Sequence, residues 1–216
     1  MVYRDVSFLP PEKFMRPRPL RLAPVAALLL VASASISSVA TAQALPSADV
    51  QIAGAVLPLP KAMRDGAGVM GYKTAGKLEL LRPAKNGMLC LADDPAEKQF
   101  HTSCYHESME PFMARGREIR AQGTNGPQVD TIRFAEVKSG KIKMPTQPAS
   151  LYQLSGPLGD FNPTTGLAPN SKPNYVVYIP FATAATTGLS SKSEGGKPWI
   201  MFPGTPKAHI MITGTM

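Results

Sequence analysis

No apolar run in this chain is long enough to cross a bilayer as a helix. The longest, Ala23 to Ile36, is about 14 residues, against the roughly 20 that a spanning helix needs. Several catalytic signatures are missing as well. There is no G-x-S-x-G elbow, no Walker loop, no dinucleotide-binding glycine pattern and no EF-hand loop. Those absences exclude the motif-defined serine hydrolases, P-loop nucleotide hydrolases, nicotinamide enzymes and calcium hands. No internal repeat is found. Cysteine is scarce, with two residues in 216, and histidine nearly so, with three. Beyond residue 44 the basic residues are scattered, apart from Arg115, Arg117 and Arg120. Scattered charge of this kind describes a solvated surface, not a polyanion track, so a nucleic-acid partner is not expected.

What is present begins with a leader. Arg16, Arg18 and Arg21 precede the apolar run, and small residues follow it up to Ala42-Gln43-Ala44. A positive region, a short apolar region and an A-x-A site are the order of a secretory signal peptide. Residues 1–44 are therefore predicted to be removed, with Met15 as a possible alternative start. No twin arginine pair and no cysteine at the cut are present, so no lipid anchor and no membrane anchor are expected after cleavage. Removing 44 of 216 residues leaves 172, one globular domain over 45–216, long enough to bury a core. The leader carries five of the 23 basic and two of the 15 acidic residues, which leaves 18 and 13, a net charge near +5. The destination is periplasmic or extracellular.

Cys90 and Cys104 both lie in the domain, 14 positions apart. In an oxidising compartment they are expected to form a disulfide. The strand pattern from Ala67 onward reads as a meander: Val69–Lys73, Leu78–Arg82 and Met88–Leu91, with turns at Thr74–Lys77 and Lys85-Asn86-Gly87. The Asn-Gly pair there is a hairpin signal. Phe100–Tyr105 reads as extended. A helix is predicted from near Ser108 to Gly123, with Met109, Phe112, Met113, Gly116 and Ile119 as its buried stripe. Pro127–Lys138 reads either as a helix with Val129, Ile132 and Ala135 inward, or as a strand. Ser150–Leu154, Tyr175–Phe181, Trp199–Phe202 and His209–Ile212 are further strands. Two long loops, Ser155–Asn174 and Ala182–Lys197, are candidate binding loops. The fold class is α+β: a mainly antiparallel sheet with one or two helices packed on one side.

Two clusters could carry chemistry. His101, Cys104, His106, Glu107 and Glu110 contain ordinary zinc ligands. If the segment is extended, Cys104 and His106 share one face and His101 the other. A Cys104–His106 nucleophile and base is a further reading, which a disulfide would remove. Trp199, Met201, His209 and Met211 form the second cluster, with donors that suit Cu(I) or simply pack as core. Were the C-terminal hairpin to pack beside the Phe100 strand, His101, His106 and His209 would be a metal site for zinc or copper. Otherwise no cofactor is expected.

Met88–Ala121, with its Cys-Leu-Ala-Asp-Asp-Pro, Cys-Tyr-His and Glu-Pro-Phe-Met-Ala-Arg-Gly-Arg stretches, resembles a group of exported bacterial proteins of unassigned function. Pro198-Trp199-Ile200-Met201 and His209-Ile210-Met211-Ile212 resemble the same group. The resemblance implies export and bacterial origin, and it carries over no activity. Two functions follow as expectations: a disulfide-closed module that binds a small ligand or a protein partner, or a metal-binding protein or metal-dependent enzyme built on the three histidines.

Overall fold

A computed structural model describes residues 45–213; the leader predicted over 1–44 lies outside the described residues. Eight strands form one sheet in the order β2-β1-β3-β4-β5-β6-β8-β7. They are β1 (Gly68–Thr74), β2 (Lys77–Arg82), β3 (Met88–Leu91), β4 (Gln99–His106), β5 (Ala149–Pro157), β6 (Lys172–Tyr178), β7 (Trp199–Met201) and β8 (His209–Ile212). Every neighbouring pair is antiparallel except β1 and β3. Four helices complete the α+β fold: α1 (Ala48–Ala55), α2 (Glu110–Ala121), α3 (Pro127–Lys138) and α4 (Ala184–Thr187).

The parallel pair corrects the meander. β1 and β2 form the expected hairpin, but Lys85-Asn86-Gly87 does not join β2 to β3 as a second one. Lys85 and Asn86 both donate their N–H groups to the Gly66 carbonyl, at 2.7 and 3.2 Å, which draws the chain across the start of β1. Asn86 donates from its side chain to the Met63 carbonyl (2.8 Å) and accepts from the Met88 N–H (3.2 Å). A turn residue with those long-range partners redirects the chain to the far side of β1. Gly68 permits the crossing, because a Cβ there would stand 2.9 Å from the Ala84 nitrogen.

The sheet is covered on both faces. Residues alternate across a strand, so Cys104 and Tyr105 serve opposite layers. Met88, Cys90, Cys104 and Val69 join Ala55 and Leu59 beneath α1. Tyr105, Leu151, Val176 and Tyr178 pack against Met109, Phe112 and partners from α2 and α3. The second layer answers to the one or two helices expected on one side. The first comes from α1, which the sequence pattern did not reveal because its apolar residues show no single stripe. Ser47 caps it by accepting from the Val50 N–H, and its Gln51 does a strand's work. Where short β3 ends, the Gln51 amide accepts from the Tyr72 N–H (2.7 Å) and donates to the Tyr72 carbonyl (2.9 Å). A buried backbone pair left open at that point would cost free energy.

Cys90 and Cys104 stand directly opposite each other on β3 and β4 and are joined by a disulfide. α2 buries Phe112, Gly116 and Ile119 as its stripe predicts, with Met109 buried at its N-cap and Met113 half-buried. Pro127–Lys138 is a helix, with proline in its first turn. Its inward set differs from the expected one: Val129 and Arg133 are buried, Ile132 is half-buried and Ala135 is exposed. β5 and β6 reach into the first long loop and shorten it to 158–171.

Candidate functional site

Helices α2 and α3 cover only part of their face of the sheet, and a cleft of about 320 Å³ opens between them and the strands. Its floor follows from register. β4 presents His101, Ser103 and Tyr105 on this side, opposite Ser155, Gln153 and Leu151 of β5. The Tyr105 and Leu151 end is apolar and packed. The His101, Ser103 and Gln153 end is polar and open to the cleft. The walls are basic: Arg117 and Arg120 from α2, Arg133 from α3, and Lys207 from the β7–β8 connection.

Three of the four cations are held by hydrogen bonds and ion pairs. Arg117 donates to Glu110 (2.6 Å) and to the Tyr105 hydroxyl (2.8 Å), which itself donates to Glu110 (2.5 Å). Burial, together with the Glu110 carboxylate, pushes the Tyr105 phenol well above its ordinary value. Arg133 is 4% exposed, places its guanidinium carbon over the Phe112 ring at 4.0 Å and donates to the Phe112 carbonyl at 3.2 Å. It also pairs with Asp130, which receives Lys207 as well, at 2.7 Å. Burial alone would raise the Asp130 carboxyl. The hydrogen bonds from Lys207 and Arg133 outweigh it and hold that carboxyl below its usual range.

Two features leave the cleft short of negative charge. Four cations face two carboxylates, Glu110 and Asp130, and Arg120 has no ion pair among the described residues. Arg120 and Arg133 also converge. A Cβ on Gly116 would stand 2.8 Å from Nη1 of Arg133 and 3.3 Å from Nη1 of Arg120. The two nitrogens are therefore at most about 6 Å apart, the sum of those distances. Glycine is what lets both guanidinium groups lie against the helix. The buried Nε–H of Arg133 has no hydrogen-bond partner among the described residues.

The three histidines do not meet. His101 sits on the cleft face, and its Nδ1 lies 2.7 Å from the Ser155 hydroxyl. His106 is five residues further along β4, about 16 Å at 3.3 Å per residue, and on the opposite face, as alternation predicts. It is exposed and caps the following turn through the Ser108 N–H. His209 lies on β8, three strand spacings from β4, roughly 14 Å. There Nδ1 donates to the Lys207 carbonyl (2.7 Å) and the ring packs between Tyr178 and Phe202. Among the described residues no group of three His, Cys, Asp or Glu side chains comes together to hold a metal. The zinc or copper site on His101, His106 and His209 is therefore not formed, because strand spacing and pleat keep its members apart. Trp199 and Met201 do share the His209 face, opposite Met211 and His209 in register, as strand pairing of a small hairpin requires.

Cys104 is bonded to Cys90, so the Cys104–His106 nucleophile pair is also absent. His101, at the polar end of the cleft, contacts the Ser155 hydroxyl. Burial holds the His101 ring below its ordinary value, against the pull of Asp93 and Glu97, and favours the neutral imidazole. Asp93, however, accepts from the His101 main-chain N–H (2.8 Å), leaving the ring without an orienting carboxylate.

Sequence reading missed the two residues that make this cleft. Arg133 had a usable signal, since it follows Val129 by four on a helix and so lies on the buried stripe. Lys207 had none, because it reaches Asp130 across 77 residues.

The fold and site define an α+β single-sheet protein with a disulfide-tied centre and a basic cleft under its helix pair. Comparison with protein-family models, with curated proteins and with solved structures finds no match for the chain. Among the described residues no helix is long and apolar enough to cross a membrane.

Proposed function

We propose that the protein is an exported binding module that holds a small polar anion, a carboxylate or a phosphate, in the cleft between α2, α3 and the sheet. The observation that carries this reading is the convergence of Arg120 and Arg133 on Gly116, beside one shared carboxylate and above a polar floor. Two guanidinium groups at that distance repel each other, and an oxyanion placed between them gains charge-assisted hydrogen bonds from both. Ser103 and Gln153 add uncharged partners for hydroxyl or amide groups on the same ligand.

Titration calorimetry with inorganic phosphate and with citrate tests the site, using sodium chloride at matched ionic strength as the control for screening. At least one of the two anions is expected to bind. Arg120→Gln, a change at an exposed residue, is expected to weaken binding about tenfold or more, the loss of one charged hydrogen bond. No heat beyond the salt control with either anion, or an unchanged affinity in Arg120→Gln, would refute the assignment.

Export is supported by the leader pattern, by the disulfide and by the resemblance of residues 88–121 to exported bacterial proteins. N-terminal sequencing of protein recovered after secretion is expected to begin at Leu45. A chain that keeps residues 1–44 would count against it.

A further inference from the structure

A second cleft, of about 470 Å³, opens on the other face of the sheet, between α1, the β3–β4 connection and the loop after β5. Its volume lies in the range of small-molecule sites. Its character is the reverse of the first. Val50 and Gly54 of α1, Phe100 of β4, and Leu158 and Phe161 of the loop make it mainly apolar. The aromatic wall is built in: the Phe100 and Phe161 rings stack at 6.1 Å between centroids, 16° from parallel. Phe161 reaches that position because α1 has a glycine beneath it, where a Cβ would stand 3.1 Å from the ring.

The charged residues lining this cleft are Asp93 and Glu97, and among the described residues no lysine or arginine lines it. Gln51 also faces it, but its amide is committed to Pro46 and Tyr72. Asp93 is half-buried. One of its oxygens accepts from the His101 main-chain N–H at 2.8 Å, and it has no ion pair among the described residues. Burial accordingly raises its carboxyl above the ordinary value. A carboxylate taken out of water beside stacked aromatic rings, in a protein with an overall excess of positive charge, is short of a counter-ion.

We propose that this cleft binds an organic ammonium with an aromatic body, of the arylalkylamine class, with the ammonium on Asp93 and the ring against Phe100 and Phe161. The inference goes beyond the anion reading and does not depend on it. Apolar area supplies the body's affinity, aromatic faces attract the cation, and the ammonium donates to the spare lone pairs of Asp93.

Phenethylamine is the probe, titrated into the protein alongside phenethyl alcohol and 3-phenylpropionate, which keep the ring and change the charge. A ligand of this size is expected to bind at about 1 mM or tighter. The alcohol should bind about tenfold more weakly, and the carboxylate should not bind here. Asp93→Asn keeps an oxygen for the His101 N–H and so leaves the fold intact; it is expected to lose phenethylamine affinity about tenfold. Phe161→Ala is expected to weaken the amine and the alcohol together. Phosphate or citrate binding is expected to be unchanged in Asp93→Asn, which separates failure of this site from failure of the first. Equal affinity for all three probes, no binding of the amine, or unchanged amine binding in Asp93→Asn would each overturn the proposal.

Discussion

Asp130→Ala is expected to destabilise the protein by about 3 kcal/mol, while Arg133→Met at the other end of the same ion pair costs less than half of that. The asymmetry follows from burial. Arg133 has 5% of its side chain exposed, and its charge is balanced by Asp130, which has 23% exposed. Removing the carboxylate strands a buried guanidinium and releases Lys207 as well, and breaking a buried pair in this way typically costs about 3–5 kcal/mol. The lower end applies because water reaches Asp130 in part. Replacing Arg133 instead removes the charge that needs a partner, and methionine can lie on the Phe112 ring in its place while Asp130 keeps Lys207. Denaturant melts of the two variants decide the matter, and equal losses would overturn it. Acid gives a second check. Because the folded Asp130 carboxyl sits below its usual value of about 3.9, its contribution is present above that pH and is lost as pH falls through the folded value. The gap between wild type and Asp130→Ala should therefore close below about pH 4.

Loss of the Cys90–Cys104 bond is expected to cost about 3 kcal/mol, the chain-entropy value for closing a loop of this length. For a domain of this size that corresponds to a fall in Tm of roughly 6–12 °C. Both cysteines are 0% exposed, so reductant added to the folded protein meets a protected bond. The measurement is therefore a thermal melt of the Cys90→Ala, Cys104→Ala double variant beside wild type, repeated for wild type refolded in reductant. The bond ties β3 to β4 at the centre of the α1-covered core, while the anion cleft lies on the other face. Phosphate or citrate binding by folded double variant is thus expected to persist. A melting temperature within a degree or two of wild type would refute a stabilising role for the bridge.

The α+β class, the disulfide, the α2 stripe and most strands could be read from the sequence because each rests on local periodicity or on a two-residue choice. Met109, Phe112, Gly116 and Ile119 recur at helical spacing, and two cysteines have only one way to pair. The same logic placed His101 and His106 on opposite faces of β4. What local pattern could not supply was the order of strands. Asn86-Gly87 carries a hairpin signal, yet hydrogen bonds to Gly66 and Met63, some 20 residues earlier, send β3 to the far side of β1. Helix α1 was hidden because its anchoring residue, Gln51, is polar and binds as a strand would. Both clefts belong to the same category. Arg120, Arg133 and Lys207 come together only through packing of α2 on α3 and the return of the β7–β8 connection, and Asp93 and Phe161 line one cleft only because a loop folds over Gly54. Sequence alone determined the bridge and the amphipathic elements, since these depend on neighbours along the chain. Which charges face one another was decided by the tertiary structure, since Coulomb energy depends on distance in space and takes no account of separation in sequence.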